Sequence, residues 1–353
     1  MNLLLRRSIA LAAALTMAAC SGGSGFQAQP TQPAAVTEPA RATAHPTPPP
    51  SPVPTPTPVD VTTLPIIDAH FHADLSWDID ALLRLMDNLG VAMAGSGGQS
   101  NLAGLRFVER SGARFFAFAP TDRIHALNLA EGGRSWRLES EATLREVERL
   151  ERGLEAGCFD GIGEVLVNTL SSHRARQVRL PADSPLMQRL WSLSARYGVP
   201  LSVHMDAEPV SVAEMERLIS SDRAGVWVWA HSGWYATPSL LRRLLTEHSN
   251  LHLELSFRDS LRSFAPVDSG GRLRPEWKEL MEEFPDRFLL GTDVLSPSAE
   301  EYRALVSLWR GVLRDLTPET AVKVAYGNAK RILKLGSREG AGAEATRCLA
   351  LGL

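Results

Sequence analysis

Cysteine is scarce: Cys20, Cys158 and Cys348 are the only three in 353 residues. So few exclude a disulfide scaffold. No charge of one sign dominates. Lys+Arg 37 against Asp+Glu 40 leaves a net charge of −3, which excludes a broad electrostatic grip on nucleic acid and leaves room only for a local basic groove. No internal repeat is visible. The Gly-rich signature of a doubly wound nucleotide-binding sheet is missing, since Gly95-Ser-Gly97-Gly98 lacks the third glycine at the required spacing. Long apolar runs are also lacking, because residues 8–19 (SIALAAALTMAA) are too short to span a bilayer as a helix. What is present is ordinary globular material, 44% hydrophobic and 7% aromatic, which excludes wholesale disorder. Proline is the exception: of 23 prolines, eleven fall between Pro30 and Pro58.

The N-terminal residues therefore differ in kind from the rest. Arg6 and Arg7 precede the short apolar run, and small residues lead directly into Cys20, the arrangement of a secretion signal over 1–19. The run resembles the lipobox of bacterial lipoproteins, with Met17 where leucine is commoner. That resemblance implies lipidation of Cys20, export to the bacterial cell envelope and an anchor at the outer membrane or the periplasmic face, Ser21 favouring the outer membrane. An ordinary cleaved signal with Cys20 incidental is the alternative. Residues 20–63 read as a disordered Pro/Thr/Ala-rich linker. The stretch from His45 to Pro58 cannot form a helix, because most of its residues are proline or precede one. It is expected to be an extended spacer.

From Leu64 the texture changes. Eight β-branched, continuously apolar runs are expected as buried strands at 66–72, 91–95, 115–121, 161–167, 200–206, 226–232, 251–257 and 288–294. Helical patterns lie between them at 78–89, 138–156, 184–197, 211–220, 238–248, 275–284, 299–314 and 318–335. Ser211 with Glu214 reads as a capping box. This rhythm over 64–335 specifies an α/β protein, a (β/α)8 TIM barrel. Residues 336–353 read as a loose tail, with Cys158 buried and no structural disulfide expected.

The residues with metal-ligand chemistry fall late in these strands. His70 and His72 stand two apart at the end of the first, so both imidazoles face one side. Glu164 lies in the fourth, His204 in the fifth, His231 in the sixth, and Asp293 closes the eighth. A lone histidine in an apolar strand is usually a core residue. Four imidazoles and two carboxylates gathered at one end of a barrel would be costly to bury without a cation. Such N/O donors suit zinc first, and also Mn, Fe or Ni.

This ordered set resembles the amidohydrolase superfamily over 64–335, nearest its amidohydrolase-related (amidohydrolase 2) and TatD-type branches. The resemblance rests on His70-X-His72, Gly163-Glu164, His204, His231, Gly291-Thr292-Asp293 and the terminal Gly327-Asn328-Ala329-Lys330-Arg331. It implies a metal-dependent hydrolase of an ester, amide, lactone or phosphoester bond, with one or two divalent ions. His70, His72 and Asp293 would hold one ion; His204 and His231 would hold a second, bridged by Glu164. The four lysines, Lys278, Lys323, Lys330 and Lys334, all follow the seventh strand, so a bridging lysine carbamate on the fourth is impossible. A single-ion site of His70, His72, His204 and Asp293, with His231 catalytic, is the alternative, and it suits a non-oxidative decarboxylase. A non-catalytic metal-binding lipoprotein is the third reading. Asp293 would serve as proton acceptor, and His231 would help polarise the scissile group. Arg123, Asn168, His173, Asp206, Trp234 and Arg258 stand on loops that can reach a small-molecule substrate. Gly95–Gly98 could form an anion nest. His248 and His252 read as structural. No basic cluster lies in the expected mouth loops, which disfavours nucleic acid as a partner.

Overall fold

The computed structural model describes residues 60–96, 102–169, 178–256 and 265–353. The signal-like segment 1–19, Cys20, the proline-rich stretch with His45, and loop residues Gly97, Gly98, His173 and Arg258 lie outside the described residues. Eight strands form one parallel sheet in sequential order: β1 (Ile66–Asp68), β2 (Val91–Ser96), β3 (Phe115–Ala119), β4 (Gly161–Leu166), β5 (Pro200–His204), β6 (Val226–Ala230), β7 (Leu251–Glu254) and β8 (Phe288–Leu289). Helices alternate with them. The sheet curls until β8 meets β1. Ala69 N donates to Leu290 O at 2.8 Å, Asp293 N donates to His70 O at 2.6 Å, and the Asp68 carboxylate accepts from Thr292 N at 3.0 Å and Thr292 Oγ1 at 2.7 Å. The result is the (β/α)8 barrel expected from the sequence rhythm.

The interior is filled at one end and polar at the other. Ile67, Ala69, Phe116, Phe118, Val228 and Leu289 pack with Ala329, Ile332, Leu333 and Leu335, so the segment after β8 plugs the barrel floor. Two glycines make room for the rings. A Cβ at Gly95 would lie 1.8 Å from the Phe116 ring, and one at Gly161 would lie 2.5 Å from the Phe118 ring. Asn328 ties the plug to β8, its Nδ2 donating to Pro285 O at 2.8 Å and to Phe288 O at 2.9 Å. Close packing of this floor leaves the opposite rim as the open end of the barrel.

His252 lies in the same lower region, buried in β7 beside Arg287 and Arg331. Burial, reinforced by the two guanidinium groups, pulls its pKa down to about 3. A histidine depressed below its unfolded value near 6.5 contributes stability that is complete above pH 6.5 and is lost as pH falls from there toward 3. His252→Leu is therefore expected to flatten the acid limb of a Tm-against-pH profile, narrowing the gap between pH 7 and pH 4 by on the order of 3 kcal/mol. An unchanged acid limb would show that His252 does not carry that dependence.

Several expectations need correction. Most ladders stop short of the expected strand ends; β6 closes at Ala230, where His231 turns to φ 56°, a left-handed backbone that cannot continue a strand. The 211–220 helix begins earlier, at Pro209, and its cap is Glu208, which accepts from Ser211 N at 3.3 Å, while Glu214 instead accepts from Ala182 N at 3.0 Å. Helices at Ala103–Ser111 and Asp122–Glu131 lie outside the expected set. The segment from Gly336 is no loose tail: Ala341–Ala350 is a helix burying Ala341, Ala345 and Cys348. Its small residues let it lie close to the Ala103–Ser111 helix, with Thr346 Oγ1 donating to Glu109 Oε1 at 3.2 Å. Cys158 and Cys348, expected as free thiols, form a disulfide across a sequence separation of 190. A link of that span removes much chain entropy from the unfolded state. Among the described residues, no helix is long and apolar enough to cross a membrane.

Candidate metal centre

The six expected donors meet at the rim where the strands end. Glu164 is aimed by its surroundings: Gly163 has φ 128°, and a Cβ there would lie 2.5 Å from Ser202 O, so only glycine fits before it. Thr121 Oγ1 donates to Glu164 O at 2.5 Å and pins the backbone there. The two oxygens of Glu164 then part company. Oε1 lies 3.2 Å from both His204 Nδ1 and His231 Nε2, while Oε2 lies 3.7 Å from His70 Nε2. On that second side Asp293 Oδ1 lies 3.3 Å from His70 Nε2 and 2.6 Å from His72 Nε2.

These distances fit a divalent ion. His204 Nδ1 and His231 Nε2 are 3.0 Å apart, so with Glu164 Oε1 they form a near-equilateral triangle. Donors about 2.0–2.1 Å from a tetrahedral ion stand about 3.3 Å from one another. His70 Nε2, His72 Nε2, Glu164 Oε1 and Asp293 Oδ1 are buried and lack a partner in hydrogen-bond geometry. Leaving such groups unsatisfied costs about 1–3 kcal/mol apiece. A shared cation satisfies them together. Glu216, Glu247 and His248 also gather, on outer helices, but Arg243 pairs with both glutamates there.

Electrostatics keep the carboxylates charged. Burial pushes Glu164 upward, but His70, His204 and His231 outweigh it and hold the carboxyl well below its usual range. Asp293 behaves alike: burial raises it, and His70 and His72 bring it down below the ordinary carboxylate value. Burial lowers His70, yet Asp293, Glu164 and Glu254 raise it well above an ordinary imidazole; His204 is raised against its own burial, chiefly by Glu164. The rim is graded in exposure. The side chains of His72 and His204 are 17% and 14% exposed against 1% for His70 and 3% for His231, so solvent reaches the cluster past His72 and His204.

The expected loop residues divide. Asp206 is buried near His204 and is one of the groups that raise the His204 pKa. Asn168 is also buried and acts as a staple: its Oδ1 accepts from Asp206 N at 2.7 Å, and its Nδ2 donates to Asp206 O at 3.2 Å and Ser211 Oγ at 3.0 Å. Trp234 stands edge-on to His231, ring centroids 5.7 Å apart, and so lines the rim. Arg123 does not reach the centre; it is exposed and pairs with Glu146 at 3.3 Å on an outer helix.

Three residues escaped the sequence reading. Glu254, the last residue of β7, sits 2.9 Å from His70 Nδ1. Ser256 Oγ lies 2.9 Å from His231 Nδ1. His125, on the Asp122–Glu131 helix, has a buried Nδ1 without a hydrogen-bond partner; burial lowers its pKa, and Glu164 and His204 lie close enough to act on it. The Gly291-Thr292-Asp293 motif held a hint of the first: a Cβ at Gly291 would lie 2.2 Å from Glu254 Oε1.

Comparison with known proteins places the chain in a family. An uncharacterized Tim-barrel protein from Bordetella bronchiseptica aligns with a TM-score of 0.51 at 13% identity, covering 77% of this chain and 99% of that one, which supports the barrel fold. A 2,6-dihydroxybenzoate decarboxylase complexed with 2,6-dihydroxybenzoate gives 0.48 at 15%, covering 77% and 99%. An amidohydrolase from Burkholderia multivorans with bound zinc gives 0.40 at 14%, covering 77% and 100%. No curated protein matches the chain. A sequence model of the Amidohydro_2 family, described as amidohydrolase, matches residues 67–335, most of the chain, and the chain therefore belongs to the amidohydrolase family.

Proposed function

We propose that this chain is a hydrolase that holds two divalent ions, zinc first among the candidates, and cleaves an ester, amide, lactone or phosphoester bond of a small molecule. The observation that carries this reading is the division of the Glu164 carboxylate between two donor groups. His70, His72 and Asp293 would hold one ion with Glu164 Oε2, and His204 and His231 the other with Glu164 Oε1. Bound divalent ions supply an electrophile for the scissile oxygen and lower the pKa of coordinated water from about 16 toward 7. Asp293, held ionised, takes the proton from the attacking water and passes it to the leaving group. His231 Nε2 faces Glu164 and His204, so its part is to hold an ion while Asp293 moves the proton. Trp234 offers an apolar wall at the rim, against which a small-molecule substrate can rest.

The test is turnover by protein stripped with a chelator and reloaded with zinc, manganese or iron. The panel spans esters, lactones, amides, phosphoesters and arene carboxylates. Metal-dependent hydrolysis of one class is expected. Release of carbon dioxide from the carboxylates in place of hydrolysis would replace the hydrolase with a decarboxylase. Retained metal with no turnover anywhere would make the chain a non-catalytic metal-binding protein. We also propose a lipid anchor at Cys20 in the bacterial envelope. The signal-like segment and the Cys158–Cys348 disulfide, of a kind that persists in oxidising compartments, support it.

A further inference from the structure

Glu254 has no part in the proposed chemistry, yet it is 1% exposed and touches the back of the cluster. Its Oε2 lies 2.9 Å from His70 Nδ1 and accepts from Ser256 Oγ at 2.6 Å; its Oε1 accepts from Ser256 N at 2.5 Å. His231 Nδ1 lies 2.9 Å from the same Ser256 Oγ. The backbone adds to the frame: His231 N reaches Glu254 Oε2 at 3.4 Å, and Ser232 Oγ donates to Glu254 O at 2.9 Å. Gly291 leaves the space into which the carboxylate fits.

Proton placement follows from these partners. A carboxylate only accepts, so His70 Nδ1 must carry a proton and donate it. Ser256 has one hydroxyl proton, and it points at Glu254. Its oxygen can then only accept from His231, so His231 Nδ1 also carries a proton. Both rings are thereby turned so that Nε2 faces the donor groups at the rim, His70 toward Asp293 and Glu164 Oε2, His231 toward Glu164 Oε1 and His204.

We propose that Glu254 is a positioning residue for both halves of the centre, acting directly on His70 and through Ser256 on His231. This rests on the metal-centre reading above. Partners of this kind fix the tautomer and orientation of a metal-binding imidazole, and their loss lowers metal affinity about 10–100-fold. Here one carboxylate serves two rings in different half-sites. Removing Glu254 must therefore weaken both halves, whereas removing the Ser256 hydroxyl must weaken only the His231 half.

The experiment uses the full chain with 15N-labelled histidine, as wild type, Glu254→Gln and Ser256→Ala. Two readouts are taken: the hydrogen-bonded Nδ1–H resonances in the metal-free protein, and zinc affinity by chelator competition. Wild type should show protected Nδ1–H signals for both His70 and His231. Ser256→Ala should lose only the His231 signal and about 10–100-fold in affinity for one zinc ion; Glu254→Gln should lose both signals and weaken both ions by that factor. Wild-type signals in Glu254→Gln, or loss of both in Ser256→Ala, would overturn the proposal. If Glu254→Gln does not fold, the Ser256→Ala split decides it. A wild type that shows both signals but binds no zinc would contradict the metal reading while leaving the proton placement standing.

Discussion

Asp293→Asn is expected to lower kcat by about 10³-fold or more with the barrel intact. The substitution keeps size and shape. The backbone that seats the residue is held independently, Asp293 N donating to His70 O at 2.6 Å. What disappears is the charge. Asp293 Oδ1 faces His70 Nε2 and His72 Nε2 at 3.3 Å and 2.6 Å, and an amide there cannot accept the proton of an attacking water. It also turns a donor or a weak acceptor toward a site built for an anion. General acid–base function alone is worth about 10²–10⁴-fold, and weaker ion binding adds to that. Steady-state kinetics on any substrate found in the panel, beside a thermal melt, reads the result. Activity within tenfold of wild type would remove Asp293 from the chemistry.

Glu164→Gln should cost the protein an ion. The carboxylate is 3% exposed and serves three imidazoles, two through one oxygen and one through the other. Glutamine can offer only one oxygen, and its amide group must face either His70 or the His204–His231 pair. Charge matters as much as shape, since His70 and His204 are both raised above an ordinary imidazole by Glu164 among others. Elemental analysis after zinc reloading is expected to fall from two ions per chain to one or none, with kcat down by about 10²–10³-fold. The single-ion reading expects one ion in both proteins and little change in rate.

The core of this site was legible because its residues announce themselves locally. His70 and His72 share a face through strand alternation, and Gly163-Glu164 and Gly291-Thr292-Asp293 carry their glycines beside them. What lies behind the donors was not legible. Glu254 sits alone in an apolar strand, and its contact with His70 is 184 positions away in sequence, created only when β7, β8 and β1 come together. Ser256 has meaning only once Glu254 and His231 are both in place. His125 belongs to a helix whose apolar pattern is faint. Arg123 lies apart from the centre: it sits in the first turn of the Asp122–Glu131 helix, where it pairs with Glu146. In the fold, strand cores were readable from apolar runs, but their ends were not: β6, for one, closes where His231 turns left-handed. The Ala/Gly-rich C-terminal segment looked loose because its stability comes from close contact with the Ala103–Ser111 helix and from Cys158, both distant in sequence.

The central claim is that six side chains gathered at the ends of five strands form one centre bridged by Glu164. Anomalous diffraction from crystals of the zinc-reloaded protein tests it most directly. Two peaks about 3.5–4 Å apart, one beside His70, His72 and Asp293 and the other beside His204 and His231, with Glu164 between them, is the expected result. A single peak that leaves Glu164 uncoordinated, or no peak at the rim, would contradict it.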